Sequence, residues 1–372
     1  MKFQALTISI LILLSNCGHK EKKTVMQKEA TRFFVGTYTH GKSEGIYAYS
    51  LRKDGTLSLN GLAAKAVNPS YLAKSNKGKF LLAVNEVNNK DSVGFVSSFL
   101  IAKDSLLAVS KNSSGGADPC FVAVNDDGYV LVANYTGGNI GLLKLNGKGQ
   151  LSGLLDVQQH NGKGSTKRQK GPHAHSAWFE TDTTIISVDL GTNELWFSKI
   201  DTTARKLQPL NPNRLKMETG AGPRHLTFHP NKKWIYVINE LNGTITQLQK
   251  KPQETYAIVN TVTTLPKGYT GINTCADIHI SSDGKFVYAS NRGHNSIAIY
   301  KVTQENGFLQ LIAFEPTRGD GPRNFALSPD ENYLLVANQN TNTIVSFKRN
   351  KVTGLLEFFD EIEAPSPVCI LF

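Results

Sequence analysis

Cysteine is scarce in this chain, with four copies in 372 residues, and only 19% of the residues are charged. Cys17, Cys120, Cys275 and Cys369 form no Cys-x-x-Cys pair and no Cys/His spacing suited to zinc, so neither a disulfide framework nor a zinc module follows from them. The last three sit in apolar segments and read as small buried side chains. No apolar run reaches the length that spans a bilayer as a helix, about 20 residues, and sustained 3.6-residue periodicity is missing too. There is no Gly-rich strand-to-helix loop and no Gly-x-Ser-x-Gly elbow, which argues against a nucleotide cofactor and serine-hydrolase chemistry. The net charge is +11, but six basic and two acidic residues fall between positions 2 and 32, leaving +7 spread over the rest of the chain. Without a Lys/Arg block, that excess fits a small anion better than a nucleic-acid groove. What the chain has in quantity is turn formers, 32 Gly and 14 Pro, in a globular composition that is 40% hydrophobic.

Met1 and Lys2 precede an apolar stretch at 5–14 (ALTISILILL), which is followed by Ser15-Asn16-Cys17-Gly18. The stretch is too short to cross a membrane and reads as the core of a secretory signal, ending in a lipobox-like sequence whose Cys17 is the lipidation site. Residues 18–31 are polar and charged without apolar periodicity, as a tether would be. The expected organisation is therefore a signal and lipobox at 1–17, a tether at 18–31 and one domain at 32–372. Such a chain is exported to the periplasm or cell envelope and meets the membrane only through its lipid.

Within the body, a short Pro-containing segment, an apolar run, a polar turn and a second apolar run ending in Asn recur. The copies lie at 68–86, 118–135, 171–190, 222–240, 274–292 and 321–339. Their ends at Glu86, Tyr135, Leu190, Glu240, Arg292 and Gln339 are separated by 49, 55, 50, 52 and 47 residues, the length of a propeller blade. Each copy is a hairpin of β-branched and aromatic runs, and a further alternating pair follows it, as in 296–314 around the Asn306-Gly307 turn. A seventh copy is split: 366–372 matches the first run and 33–38 the second. The fold class expected is all-β, a seven-bladed β-propeller of four-stranded antiparallel blades, its first blade closed by the C-terminal strand.

The motifs NPSYLA (68–73), PHAHS (172–176), GPRH (222–225), INEL (238–241), SNRGH (290–294) and GDGPRNFALSP (319–329), in this order at blade spacing, resemble the lactonase family of β-propellers. That family includes propeller-type bacterial 6-phosphogluconolactonases and fungal carboxymuconate cyclase. The resemblance covers nearly all of 32–372 and implies cofactor-independent hydrolysis of a sugar-acid lactone, 6-phosphogluconolactone or an unphosphorylated relative. Muconate-type lactone formation, and a noncatalytic binding propeller of the cell envelope, are the alternatives.

The family's active-site set of one His, two Arg and one Glu matches His175, Arg224, Glu240 and Arg292. Chemistry agrees with the match. A guanidinium fork holds a carboxylate or phosphate and stabilises an oxyanion, and a neutral imidazole takes a proton from attacking water. Ser70, Cys120, Ala276 and Val368 follow the Pro position in four repeats, whereas His173, Arg224 and Arg323 follow it in the other three. Glu86, Asp189, Glu240, Arg292 and Gln339 stand at matching strand ends. His173, placed by alternation on the same face as His175, joins Arg323 and Glu86 as candidate substrate contacts. His225 is expected to face away and to be packed or hydrogen-bonded. The recurring Asn85, Asn134, Asn239, Asn291 and Asn338 read as strand-end hydrogen bonders that the repeat itself needs. The basic loop 163–170 (KGSTKRQK) precedes His173 and is suited to attracting an anion at the channel mouth. The His-x-His pair has no evident third ligand, and no metal is expected.

Overall fold

The computed structural model describes residues 30–75, 78–89, 91–103 and 105–372. The signal, Cys17 and nearly all of the tether lie outside the described residues. The second run of each repeat is apolar at successive positions because both of its faces are covered. In blade 2, Phe80, Leu82 and Val84 pack against blade 3, while Leu81 and Ala83 pack against blade 1. Alternation of side chains about the strand thus feeds two separate cores. Seven such cores occur, one at each junction between neighbouring blades.

Each blade is a four-stranded antiparallel sheet. Blade 5 illustrates the order from the axis outward: Pro223–Phe228, Trp234–Asn239, Thr244–Lys250 and Tyr256–Thr263. The innermost strands of adjacent blades pack against one another all the way round the ring. Blade 1 takes its innermost strand from the C-terminus, Pro367–Leu371, paired antiparallel with Ala30–Thr37 through Val35↔Ile370 and Gly36↔Cys369. The expected closure is therefore the observed one, and it leaves no open edge at the seam.

All innermost strands start at the same rim of the axial channel, here called the mouth, and all second strands end there. Ala30–Thr37 runs toward the mouth and Pro367–Leu371 runs away from it. The strand-end asparagines work as expected, Asn134, Asn291 and Asn338 donating to the carbonyls of Ser114, Thr264 and Thr317. A second device recurs at the outer turns. Gly55, Gly149, Gly307 and Gly354 all have positive φ, and a Cβ on any of them would strike an aromatic ring of the neighbouring blade, Tyr333, Phe80, Trp234 and Phe286 respectively.

Candidate active site

The innermost strands carry one extra residue near their start. In blade 5, Pro223 pairs with Asn239 but His225 pairs with Ile238, so Arg224 is bulged out of the ladder. The same interruption falls at Cys120, His175, Arg323 and Val368, and at Ala276 with Asp277 in blade 6. A bulge re-aims the side chain of the residue it extrudes. One ring of channel-facing positions is thus fixed by the backbone. The register corrects the sequence alignment in two places. Ala174, pairing with Asp189, occupies the Pro position, so the residue that matches Arg224 and Arg323 is His175 and not His173. Asp189 in turn matches Asn239, and Leu190 matches Glu240.

A second ring comes from the residue after each second strand. The amides of Tyr38, Glu86, Tyr135, Leu190, Glu240 and Gln339 donate to Ser366, Asn68, Asp118, His173, Gly222 and Gly321, the positions before the Pro site. Arg292 completes the set in blade 6.

Glu240 is the centre of the charged cluster. Its Oε2 accepts from Arg224 Nε at 3.0 Å and forms an ion pair with Arg292 Nη2 at 3.0 Å, and its Oε1 accepts from Arg168 Nη1 at 2.6 Å. Burial pushes the Glu240 carboxyl up, but Arg292, Arg224 and Arg168 together pull it down to about 2. Arg224, with 3% of its side chain exposed, also donates from Nη1 to the Ala276 carbonyl at 2.5 Å. Arg292 donates to the carbonyls of Thr274 and Cys275. Burial lowers Arg292 to about 10. Among the described residues, Nη2 of Arg224 and Nη1 of Arg292 have no protein partner, so each guanidinium keeps a donor for a ligand.

Across the channel stands a second cluster. The Tyr38 hydroxyl donates to Glu86 at 3.0 Å and accepts from Arg323 Nη2 at 2.7 Å. Burial depresses Arg323, yet Tyr38 and Glu86 outweigh that and hold it above its ordinary value. The charges of the two clusters reach each other, since Arg323 helps to lower Arg224 after burial has done so.

Between them lie the histidines. The imidazole of His173 stacks on Tyr135 with centroids 4.5 Å apart, and His175 meets the same ring edge-on at 5.6 Å. His175 Nδ1 lies 3.8 Å from Cys120 Sγ, and no protein partner among the described residues reaches its Nε2. Burial, then the charges of Arg224 and its neighbours, hold His175 well below 6.5, so its ring is neutral near pH 7. Burial likewise raises the Cys120 thiol, which stays protonated. Cys275 and Cys369 are also buried and free. No group of three or more His, Cys, Asp or Glu side chains among the described residues is arranged to hold a metal ion.

The structure thus brings His175, Arg224, Glu240, Arg292, His173, Arg323 and Glu86 to one mouth. It adds Tyr38, Tyr135 and Arg168, which the sequence reading did not single out. Tyr38 and Tyr135 were detectable by repeat position, each following the second run as Glu240 does. Arg168 lay inside the basic loop, but nothing in its local sequence separates it from Lys163, Lys167 or Lys170. In the structure it bridges Glu240 and the Tyr135 hydroxyl while 48% of its side chain stays exposed.

The family described as Lactonase, 7-bladed beta-propeller, matches residues 32–372. The chain belongs to that family. It is 35% identical over 346 residues to the 6-phosphogluconolactonase of Bacillus subtilis, covering 91% of this chain and 97% of the relative. A putative 6-phosphogluconolactonase from Bacteroides uniformis, known as a crystal structure, superposes with a TM-score of 0.86 at 36% identity, over 93% of this chain and 100% of that one. A periplasmic gluconolactonase of Pseudomonas aeruginosa gives 0.88 at 28% identity, over 92% and 98%. This lactonase is an enzyme of the lactone-hydrolase class, similar to the 6-phosphogluconolactonases.

Proposed function

We propose that the protein opens a sugar-acid lactone bearing an anionic group, 6-phosphogluconolactone or a close relative, at the channel mouth. The observation that carries this reading is the guanidinium cluster on Glu240, in which Arg224 and Arg292 each retain an unpartnered N–H. Those donors polarise the lactone carbonyl and hold the oxyanion that forms when water adds. His175, neutral and with Nε2 free, takes the proton of the attacking water. The tetrahedral intermediate then breaks the bond from its carbonyl carbon to the ring oxygen, and the imidazolium returns the proton to the departing alkoxide. Glu240, held as a carboxylate, fixes both guanidinium groups and does not itself deliver a proton.

Substrate charge follows from the contacts of the site. Arg168, Arg224, Arg292 and Arg323 meet two carboxylates at the mouth, Glu240 directly and Glu86 through the Tyr38 hydroxyl, an excess of positive charge there that suits a phosphate. We assign the anion to Arg323 and Arg168, with the His173–Tyr135 stack flanking the sugar. A second reading, an unphosphorylated lactone, is favoured by the export expected from the sequence at 1–17 and by the likeness to the periplasmic gluconolactonase.

The test is hydrolysis of 6-phosphogluconolactone and glucono-δ-lactone, read above spontaneous opening. His175→Ala and Arg224→Ala are each expected to lower kcat by about 100- to 1,000-fold, the usual effect of removing an oxyanion donor or a general base. Wild-type protein that is folded yet no faster than background on both lactones would move the assignment to a noncatalytic binding propeller.

A further inference from the structure

Directly beneath the Glu240 cluster lies a buried charged group that lactone chemistry does not require. His225 Nδ1 is 2.8 Å from Asp277 Oδ1, and Asp277 Oδ2 is 3.0 Å from His279 Nε2 and 2.5 Å from Asn324 Nδ2. Asn324 passes the connection on, its Oδ1 accepting from the amide of Ile370 in the closing strand. The other end of the line points at the active site: His225 Nε2 lies 3.4 Å from Arg224 Nη1. A guanidinium can only donate, so Nε2 must be the acceptor, and a carboxylate can only accept, so Nδ1 must carry the hydrogen. His225 is thereby specified as neutral, in a single tautomer. Burial and the adjacent Arg224 lower it to about 4 in spite of Asp277, which agrees with that assignment.

The geometry points to His225 as a positioning residue for Arg224, with Asp277 setting its tautomer and His279 balancing the Asp277 charge. The consequence is directional. Arg224 has its Nε committed to Glu240 and its Nη1 committed to Ala276 and His225, which leaves Nη2 as its one unpartnered nitrogen. Rotation of the guanidinium about its own axis would break one of these three contacts, so the free N–H is aimed as well as available. Two features argue against a purely structural role. A buried carboxylate is costly to desolvate, and apolar residues of similar volume would pack this layer as well or better. His279 keeps 36% of its side chain exposed, so the chain of contacts is not sealed off. Burial depresses His279, but the charge and hydrogen bond of Asp277 outweigh it and hold it above its ordinary value. The groups facing His225 are Arg224 on its own strand, Asp277 and His279 on the next blade, His175 at 5.3 Å on the preceding blade and Tyr71 at 5.8 Å.

This inference rests on the lactonase reading of Arg224, and one arm of its test does not. In ¹⁵N histidine spectra of the wild-type protein at pH 7, His225 is expected as the neutral ring with hydrogen on Nδ1. An imidazolium, or hydrogen on Nε2, overturns the inference whatever the substrate is. In the kinetic arm, His225→Leu is expected to lower kcat on the preferred lactone by about 10- to 100-fold with KM within about 3-fold, because the donor it frees acts in the transition state. His225→Gln, whose amide oxygen can take the place of Nε2, is expected to recover most of that loss. Unchanged kcat in folded His225→Leu overturns the inference, as does a folded His225→Gln that recovers nothing. Should His225→Leu not fold, the spectrum and His225→Gln decide. A wild type that opens neither lactone defeats the lactonase reading and leaves the tautomer arm standing.

Discussion

Glu240 holds three guanidinium groups and is itself held at about 2, so it is a carboxylate near pH 7. Its contribution is geometric, and that can be measured. Glu240→Gln keeps the shape but turns one acceptor oxygen into a donor facing an Arg, and kcat is expected to drop by about 100-fold, the scale of a lost oxyanion contact. The pH profile follows from two neighbours with opposite signs. In the proposed mechanism His175 acts as the free base, so rate is expected to be lost as pH falls through its pKa, which burial and Arg224 put well below 6.5. In the same mechanism Arg292 acts as the cation, so rate is expected to be lost as pH rises through about 10. We expect kcat/KM, corrected for spontaneous opening, to be flat from about pH 6.5 to 9 by this reasoning. A midpoint near 6.5 on the acid side would show that His175 is not the base.

At the level of elements, the bulge of the innermost strand and the loop before blade 4 decide what reaches the mouth. The pairing of Arg224 with Glu240 was legible because the two lie 16 residues apart in one hairpin whose ends meet. The choice between His173 and His175 was not, because simple alternation places both on one face. The extra residue that separates them is visible only in the pairing register. Arg168 escaped for another reason. A loop has no period, and its reach to Glu240 depends on where blade 4 sits against blade 5. Its role is testable: Arg168→Ala is expected to raise KM for the phosphorylated lactone about 10-fold while changing KM for the neutral one little, since a charge-assisted contact contributes about 1.5–3 kcal/mol. The outer turns give a stability prediction of the same rank. Gly307 has φ of +77° and its missing Cβ would come within 2.4 Å of the Trp234 ring, so Gly307→Ala is expected to cost about 1–3 kcal/mol in thermal unfolding without altering kcat.

As a whole molecule, the ring was the most legible feature, because a period near 50 residues and a split seventh copy define both blade number and closure. Its stability is distributed over seven junctions, so the seam between blades 7, 1 and 2 should matter as much as any other. Ile370 and Cys369 belong to the two cores flanking blade 1. Removing 367–372 takes both out and exposes the edge of Ala30–Thr37; a loss of about 5 kcal/mol or more, with self-association on size-exclusion chromatography, is the expected result. The direction of the two strands in that seam has a further effect. Because Ala30–Thr37 climbs to the mouth and Pro367–Leu371 descends from it, the chain enters and leaves the ring at the rear, with Phe372 resting 5.3 Å from Phe33. A group joined directly at Ala30 or at Phe372 is therefore attached on the side opposite the channel mouth.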